Sequence, residues 1–549
     1  IEILSKFLEY LDEKDKEVLY LLMGDIYPEY DERRIGISNQ LAIKAISKAT
    51  GTDAKEVVKL WKKIGDLGKV SQELTKHKRQ TTLHSHIITT EKVLENLRKL
   101  PGLEGKGTIE KKLALITELL TSASSIEALY LVRTLIGDLR IGMQESTIRE
   151  AIAKAFFKEQ EKNEASLAVQ EAIDNANDLA EVFDAAKKGK IKDLEKVTLQ
   201  VGKPIKAMLA QKALTIEDGF KALGRPCAVE YKYDGFRMII HKKNENEIIL
   251  FTRRLENVTK QFPEVVEYIK KYVKGKTFIL DSEAVGFDYK TKEYQSFQHI
   301  SQRIRRKYDI KEMQEKLPVE VNVFDVLFYN GKPMMQEPFE KRSKLVREII
   351  TNHPYKIISS KQIITGDEKK AKEFYKKALK DNQEGVMMKN LEAEYKPGRR
   401  VGYMLKIKPE ERDLDLVITG AEHGKGKRSG WFSSFILSCL DDKTGKFVEI
   451  GKVGTGIKEK TEEGLSFDEL TKMLKPLIEE EGKKIIFKPK IAVSVTYQEI
   501  QKSPNYNSGW ALRFPRFTRL RPDKHPKDIS TLKEIEKDFA NQKRNYRYG

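Results

Sequence analysis

A run of charged residues from Glu230 to Arg237 places an amine, two carboxylates and a guanidinium close together. Lys232 is the candidate nucleophile, because a lysine amine attacks phosphorus or carbonyl carbon when neighbouring cations or burial keep it neutral. Arg237 is such a cation, and Asp234 could hold a metal or orient the lysine. Gly235 allows the backbone to approach a ligand or to turn where a side chain would obstruct it. A polar hairpin corner is the alternative interpretation, so the motif needs support from the rest of the chain.

Further charged and aromatic residues follow predicted strands. Arg253 comes directly after one strand and could place its guanidinium on a phosphate or a ribose. Glu283 lies where another strand ends and could bind a sugar hydroxyl or a metal, and Glu384 offers a carboxylate beside a glycine. Phe324 could stack on a base. Each residue alone has a plainer interpretation, because a single phenylalanine is more often a core residue and a single glutamate a surface acid.

Lys406 and Lys408 are two positions apart on a predicted strand. Side chains with this spacing lie on the same face of a strand. We therefore expect the two ammonium groups to grip one phosphate together.

The charge balance predicts a polyanionic partner. Lys and Arg number 102 against 83 Asp and Glu, which gives a net charge of +19 over 549 residues. Nucleic acid is the first expectation for such a chain, and a membrane surface is the alternative. The sequence contains no apolar run long enough to span a bilayer and no signal peptide. We expect a soluble, cytoplasmic protein that associates with the nucleoid.

Cysteine content excludes two kinds of small-domain scaffold. Only Cys227 and Cys439 are present. A disulfide framework and a four-cysteine zinc site are therefore both excluded.

The first 200 residues carry helical patterns and no visible catalytic motif. Helix starts are predicted at Asp53 and Thr108, and residues 126–135 form an apolar face. The chain begins at Ile1 already within a helical pattern, so we expect an upstream segment to precede it. A solvated helix face is the commoner role for any single lysine here. The basic excess as a whole favours phosphate binding by the loops and helix N-termini of an all-α domain over residues 1–200.

A β-rich pattern begins after a predicted linker at residues 202–206. The predicted strands are 237–241, 247–251, 277–281 and 318–328, and the predicted helices between strands include 263–272 and 368–379. This alternation indicates an α+β domain over residues 201–412.

The remaining residues, 413–549, have mostly strand patterns. Strands are predicted at 416–421, 434–440, 447–453 and 490–496, a helix begins at the capping box Ser466 to Glu469, and a last helix covers 530–542. Four or five strands with one inserted helix are typical of an all-β OB-fold barrel, which often binds nucleic acid.

Taken in order, these motifs resemble the covalent nucleotidyltransferase superfamily and specifically the ATP-dependent DNA ligases of archaeal type. The resemblance rests on six ordered motifs and continues into the C-terminal stretch Ala511 to Lys524. The six are Lys232 to Arg237, Arg253, Glu283, Phe324, Glu384 to Lys389, and Lys406 to Lys408. It covers essentially the whole chain, because this family has a helical DNA-binding domain, an α+β adenylation domain with an ATP-grasp-like nucleotidyltransferase fold, and an OB-fold domain.

The resemblance also implies residue roles. Lys232 would carry AMP covalently. The implied nucleotide-binding residues are Glu230, Lys232, Arg237, Arg253, Glu283, Phe324, Lys406, Lys408, Arg521 and Lys524. The implied ligands for Mg²⁺ or Mn²⁺ are Asp234, Glu283 and Glu384, and the implied DNA-binding or lid residues are Arg513 and Arg516. The OB-fold domain would close over ATP and then turn away about a hinge at residues 410–413.

The activity that the resemblance implies is the sealing of 5′-phosphate/3′-hydroxyl nicks in duplex DNA during replication, repair and recombination. ATP is the expected nucleotide, a sliding clamp is a further expected partner, and a monomer is the expected state. An RNA ligase or a capping guanylyltransferase is the alternative, and the large helical domain before Lys232 argues against both. An NAD-dependent ligase is disfavoured because that class resembles chains with a four-cysteine zinc finger. A non-catalytic nucleic-acid-binding scaffold would be expected to have lost Lys232 or Glu384, and both are present.

Overall fold

The computed structural model describes residues 1–31, 33–76, 88–105, 107–295, 297–304, 308–399, 401–409, 412–424, 428, 430–459, 465–482 and 484–548. Within this part of the chain, the residues form two compact units, Ile1–Lys408 and Pro409–Gly549. The predicted hinge at 410–413 begins with two residues outside the described ranges. No described helix combines the length and the apolar character that crossing a bilayer requires.

The first part of the larger unit is helical, as predicted. Its α-helices are α1 Glu2–Tyr10, α2 Val18–Leu22, α3 Asn39–Thr50, α4 Ala54–Ile64, α5 Leu67–Lys76, α6 Thr90–Lys99, α7 Thr108–Ser122, α8 Ser125–Leu135, α9 Glu145–Phe156, α10 Lys162–Ala176, α11 Leu179–Lys187 and α12 Ile191–Glu195. The predicted helix starts are confirmed: the Asp53 side chain accepts a hydrogen bond from the backbone of Lys55 as the α4 cap, and α7 begins at Thr108. Two apolar clusters hold these helices together.

Strands and further helices alternate in the rest of the larger unit. The strands are β1 Gln211–Lys212, β2 Cys227–Lys232, β3 Phe236–Lys242, β4 Ile248–Thr252, β5 Phe278–Gly286, β6 Val319–Tyr329, β7 Lys332–Pro333, β8 Ile357–Ser359, β9 Gln362–Thr365, β10 Gly385–Lys389 and β11 Met404–Ile407. The helices are α13 Ile216–Leu223, α14 Pro263–Tyr272, α15 Phe297–Ile304, α16 Ile310–Lys316, α17 Phe339–Ile349 and α18 Glu368–Lys380. The predicted α+β class is confirmed, and α14 has the predicted bounds.

These strands form two sheets in the described residues. The first sheet has the order β1-β11-β10-β2-β9, in which only β1 and β11 pair in parallel. The second has the order β4-β3-β5-β6-β7, with β8 beside β6. Short strands such as β9 and β10 have no long alternating pattern, which explains why the sequence pattern alone did not predict them.

Each sheet has one face covered by helices. On the first sheet, Val229 and Tyr231 of β2 pack with Phe220 of α13 and Ala371 of α18. On the second, apolar residues of β3, β5 and β6 pack against α14 and α17. A third apolar cluster joins the two sheets through the faces that the helices do not cover. It includes Ile239 of β3, Leu327 of β6 and Met404 of β11. We call the space between these other faces the cleft.

Ion pairs join the helical part of the larger unit to its α+β part. Lys206 lies 2.6 Å from a carboxylate oxygen of Glu29 and 2.7 Å from one of Glu145. Arg399 lies 3.1 Å from Asp174 of α10. The predicted linker is therefore held by charged contacts at its C-terminal end and is not an exposed tether.

The smaller unit is mainly β, which confirms the predicted class. Its strands are β12 Arg412–His423, β13 Phe432–Leu440, β14 Phe447–Val453, β15 Ile478–Glu481, β16 Ile485–Phe487, β17 Ala492–Tyr497, β18 Glu499–Lys502, β19 Trp510–Arg513 and β20 Arg516–Leu520, and its helices are α19 Phe467–Leu474 and α20 Leu532–Tyr548. The predicted capping box is present, since Ser466 and Glu469 each bond the other's backbone N–H. β12 pairs with β13, β16 and β17, which curves the sheet around one apolar core.

Candidate functional site

Alternation along β2 places the candidate nucleophile on the cleft side of the first sheet. Lys232 is the last residue of β2, and β3 begins four residues later at Phe236. Glu230, two residues earlier, lies on the same face. Its register partners are Gln362 on β9 and Met387 on β10. Because Tyr231 packs against the helices on the opposite face, the polar residues of β2 are directed to the cleft.

Two lysines share one carboxylate at the end of β2. Nζ of Lys232 lies 2.6 Å from Oε2 of Glu384, and Nζ of Lys408 contacts the same oxygen. Burial alone would favour the neutral acid, but the two ammonium groups outweigh it and the net pKa of Glu384 is lowered. Burial and the positive charge of Lys232 lower the pKa of Lys408, against the opposing effect of Glu384. The cluster therefore places two ammonium groups at a point where a phosphate could replace the carboxylate as their partner.

Glu283 and Arg237 face each other on neighbouring strands of the second sheet. They are register partners across β3 and β5. Burial raises the pKa of Glu283 to about 8, although the cations Lys232 and Arg237 oppose this shift. At neutral pH this carboxyl is mostly protonated, so it differs in charge from Glu384.

Arg237 belongs to a buried hydrogen-bond network. Its Nε donates to Oδ1 of Asp281 at 2.8 Å, and its Nη1 donates to the backbone oxygen of Met208 at 2.8 Å. The Tyr395 hydroxyl donates to Oδ2 of Asp281 at 2.7 Å and accepts from the Met208 N–H at 3.0 Å. This network fixes the direction of the Arg237 guanidinium and connects it to the linker that leads from the helices.

Phe324 lies in the cleft under two cations. The ring is half-buried, with the Lys389 ammonium 4.6 Å and the Arg237 guanidinium 5.4 Å from its centroid. Arg237, Phe324, Lys389, Tyr395 and Met404 line one pocket together with other residues of both sheets. An aromatic face beside two cations suits a flat, electron-rich group that carries phosphates.

Glu230 is buried and has two charged or polar partners. Nζ of Lys389 lies 2.6 Å from its Oε2, and Nε2 of Gln362 donates to its Oε1 at 2.7 Å. Lys389 lies in one of the sequence motifs, but neither contact of Glu230 was predicted from the sequence. Residues that meet across three strands are separated too widely in the sequence for spacing to reveal them.

Two glycines allow close approach of backbone to backbone. A Cβ on Gly235 would lie 2.3 Å from the Ala284 oxygen, and one on Gly385 would lie 2.1 Å from the Ile407 oxygen. Gly385 also has a positive φ of 143°, which disfavours any side chain. A side chain at position 235 would therefore collide with the backbone of β5. The lack of a side chain at Gly385 lets β10 lie close to β11, which keeps Glu384 near Lys408.

Other predicted residues lie at or beyond the edges of this cluster. Asp234 is buried, and its backbone N–H donates to Oε1 of Gln383. Arg253 follows β4, as predicted, and is exposed. Lys406 lies on β11, opposite Met387 of β10. Lys408 directly follows the end of β11.

Comparisons with known proteins identify the family. Residues 207–408 match the family model of the ATP dependent DNA ligase domain, residues 1–153 that of the DNA ligase N terminus, and residues 428–524 that of the ATP dependent DNA ligase C terminal region. The chain is 45% identical to the DNA ligase of Nanoarchaeum equitans, over 99% of this chain and 95% of that protein. The chain belongs to the ATP-dependent DNA ligase family.

A further relative agrees with this assignment of the ligase, and one solved structure shares its fold. It is 41% identical to the DNA ligase of Thermococcus onnurineus, over 97% of this chain and 92% of that protein. The solved structure Pmar-Lig_Pre has 17% identity, covers 87% of this chain and 99% of its own, and has a TM-score of 0.52. This last likeness concerns the fold alone.

The smaller unit of the ligase holds its predicted basic residues by local contacts. Nη1 of Arg521 lies 2.9 Å from both carboxylate oxygens of Asp415, and Nζ of Lys524 lies 2.7 Å from Oδ2. The pKa of Asp415 is lowered, because Lys524, Ser494 and Arg521 together outweigh the opposing effect of burial.

The two predicted lid arginines of the ligase differ in environment. Arg513 donates to Oε1 of Glu499 at 2.9 Å, whereas Arg516 is exposed on β20. The structure thus describes all four basic residues predicted for the smaller unit, namely Arg513, Arg516, Arg521 and Lys524.

A preformed metal cage is not found in the described residues of the ligase. The donor set nevertheless fits Mg²⁺, which in nucleotide enzymes binds one or two carboxylates together with substrate phosphates. Glu384 supplies an ionised carboxylate, and Glu283, close enough to be influenced by its charge, supplies a second oxygen donor after it loses a proton.

Proposed function

We propose that this chain seals nicks in duplex DNA with ATP and that Lys232 forms the covalent enzyme–AMP intermediate. The observation that carries the proposal is the contact of Lys232 and Lys408 with one oxygen of Glu384. This cluster combines a primary amine, a neighbouring cation and a replaceable anion beside a pocket with an aromatic wall. Such an arrangement can bind a triphosphate and supply a nucleophile to it.

In the first step, the Lys232 amine attacks the α-phosphorus of ATP. A nitrogen–phosphorus bond forms, the bond from the α-phosphorus to the bridging oxygen breaks, and pyrophosphate leaves with that electron pair. Because the amine attacks only in its neutral form, Lys232 must give a proton to the Glu384 carboxylate or to solvent and leave that contact. Lys408 remains close to Glu384 and can neutralise phosphate charge.

Different residues are proposed to bind the base and the metal. Glu230 and Phe324 would contact adenine, and Arg237, Arg253 and Lys406 would contact the ribose and phosphates. The proposed ligands of Mg²⁺ are Asp234, Glu283 and Glu384. The ion would neutralise phosphate charge while these side chains orient it.

The second and third steps act on DNA. AMP moves from Lys232 to the 5′-phosphate at a nick, which makes a phosphoanhydride and regenerates the amine. The 3′-hydroxyl then attacks that 5′-phosphate, a phosphodiester forms, and AMP leaves. Arg513, Arg516, Arg521 and Lys524 are proposed to act by closure of the smaller unit during the first step and by its release before DNA binds.

The domain assignment belongs to the same proposal. Residues 1–200 would bind DNA, residues 201–412 would carry the nucleotide, and residues 413–549 would form the mobile OB-fold domain. The excess of 19 positive charges suits the enclosure of a duplex by these domains. Contact with a sliding clamp, a monomeric state and a location at the nucleoid remain predictions that follow from this substrate.

Transfer of a labelled α-phosphate tests the function. The purified protein with Mg²⁺ should take label from α-³²P ATP in a bond that is labile to acid and stable to alkali, as expected of a phosphoramidate, and should pass it to a nicked duplex. Lys232→Ala should take no label. Lys316→Ala, at an exposed position of α16, is the matched control and should label normally. Labelling of Lys232→Ala equal to the wild type would refute the assignment of the nucleophile.

Nucleotide choice needs a parallel measurement. ATP, ADP, GTP and NAD should be supplied separately under the same conditions, with ligation of the nick as the readout. Sealing that requires NAD and does not occur with ATP would contradict the proposed substrate.

A further inference from the structure

Glu230 is held from two sides in the cleft. Its side chain is 2% exposed, Lys389 binds one carboxylate oxygen, and the Gln362 amide donates to the other. A buried carboxylate needs such partners, because an unpaired buried charge is costly. Lys389 balances the charge of Glu230, and Gln362 fixes the plane of its carboxylate.

The Gln362 amide is itself oriented by α17. Ser343 Oγ lies 3.0 Å from Nε2 of Gln362 and 3.2 Å from its Oε1. Nη1 of Arg347 donates to the same Oγ at 2.8 Å, and its Nη2 donates to the backbone oxygen of Ser360 at 3.1 Å. Since an ionised carboxylate only accepts hydrogen bonds, the amide nitrogen of Gln362 must face Glu230. A continuous chain of hydrogen bonds thus runs from α17 through β9 to β2.

We infer that Gln362, oriented by Ser343, is a positioning residue that sets the preference of this site for a 6-amino purine over a 6-oxo purine. The inference rests on the proposed function, in which Glu230 contacts the base. A carboxylate held as an acceptor attracts the amino group of adenine and repels the carbonyl oxygen of hypoxanthine or guanine. Neither Gln362 nor Ser343 needs to touch the nucleotide for this effect.

A purely structural role for Gln362 has a different consequence. If the amide only held β9 against β2, its loss would disturb the sheet that carries Lys232. The use of every nucleotide would then fall in the same proportion. The ratio of two nucleotides that differ only in the 6-substituent of the purine and in the proton that the 6-oxo form carries on N1 separates these roles.

The experiment measures formation of enzyme–AMP and enzyme–IMP from α-³²P ATP and α-³²P inosine triphosphate, in the full chain. Three variants are compared with the wild type: Gln362→Met, which keeps the length but removes the donor; Gln362→Glu, which places a second acid beside Glu230; and Ser343→Ala. Gln314→Met on α16 is the matched control for a glutamine outside the cleft.

For Gln362→Met we expect KM for ATP to rise about tenfold with little change in kcat, and the ATP-to-inosine ratio of kcat/KM to fall about tenfold. Gln362→Glu should lower this ratio further, because two adjacent acids share a proton and Glu230 can then donate to a 6-oxo group. Ser343→Ala should give a smaller shift in the same direction, and the control should keep the wild-type ratio.

Two results overturn the inference. One is a wild-type ratio in both Gln362 variants, and the other is an equal fall in the use of both nucleotides. Failure of the proposed function gives a distinct result, since the wild-type protein would then form no covalent nucleotide with either triphosphate.

Discussion

Nζ of Lys232 and Oε2 of Glu384 are 2.6 Å apart, and this contact joins the ends of two adjacent antiparallel strands. In the proposed mechanism Lys232 attacks as a neutral amine, so its Nζ must first leave this carboxylate. Arrival of phosphates must therefore change the partners of both groups before the amine can attack.

Replacing Glu384 with glutamine tests the importance of that shared charge. We expect Glu384→Gln to lower the rate of label uptake from ATP by at least about tenfold, because Lys232 and Lys408 lose their common counter-charge and the proposed metal loses a ligand. The measurement is single-turnover formation of enzyme–AMP.

Glu337→Gln is the matched control for this substitution. Glu337 also binds two lysines, Lys332 at 2.9 Å and Lys341 at 2.8 Å, but outside the cleft. The control should label at the wild-type rate. Equal effects of the two substitutions would show that the Glu384 effect is not specific to the site.

The raised pKa of Glu283 predicts a pH-dependent stability. The pKa rises from 4.5 in an unfolded chain to about 8 in the folded protein. The folded state therefore binds more protons between these values, and stability falls as pH increases through this window. Glu283→Gln mimics the protonated acid and removes this loss of stability at high pH. We expect it to raise the free energy of unfolding of the larger unit by about 4 kcal/mol at pH 8.5, and by less than about 1 kcal/mol at pH 5.

Guanidinium unfolding at the two pH values measures this difference. Glu348→Gln, at an exposed position on α17, is the control and should have the same small effect at both. A Glu283→Gln variant that gained no stability between pH 5 and pH 8.5 would contradict the protonated state assigned to this carboxyl.

Asp415 binds two basic residues of the smaller unit for which, in the proposed mechanism, pyrophosphate would compete. Arg521 and Lys524 both bind its carboxylate. If these cations assist the departure of pyrophosphate, Arg521→Ala should lower kcat/KM for enzyme–AMP formation about tenfold. Asp415→Asn should raise it severalfold, because the cations lose a competing anion.

Steady-state kinetics of pyrophosphate release tests both variants of this pair. Lys527→Ala, a change near the same loop, is the control and should leave kcat/KM unchanged. A fall in kcat/KM for Asp415→Asn would show that Asp415 positions the cations and does not compete for them.

Removal of residues 1–200 tests the DNA-binding role of the helical part. We expect enzyme–AMP formation to persist and nick sealing to fall by more than about a hundredfold at physiological salt, because many phosphate contacts are lost. The truncation also removes Glu29 and Glu145, the partners of Lys206. Lys206→Met in the truncated chain therefore serves as the matched variant. Sealing equal to that of the full chain would refute the role assigned to residues 1–200.

The sequence motifs pointed to residues that border the cleft, but not always to their places on the strands. Lys232 ends β2, whereas Phe324 lies within β6. The prediction that Glu283 lies at the end of a strand is wrong, because β5 continues to Gly286. Lys232, Arg237, Glu283 and Phe324 all lie on strands that border the cleft. Spacing along a strand predicts which side chains share a face, but β2 was not among the predicted strands, so the structure was needed to place Glu230 and Lys232 on one face.

The supporting network was not predictable in the same way. Tyr395 meets Met208 across 187 positions of sequence, and neither residue lies in a recognisable pattern. Their contact depends on how the two sheets pack, which strand periodicity does not specify. The same reason hides Gln362, whose strand β9 has only four residues.

The alternation of faces along β2 limits how this gene can change. Insertion of a single codon between Glu230 and Lys232 would turn one of these side chains toward the helices and bring an aromatic ring into the cleft. Insertion of two codons would preserve the direction of both but move Lys232 away from Glu384 by about 7 Å. Length variation in this enzyme should therefore accumulate in its loops, while this strand keeps a fixed number of residues.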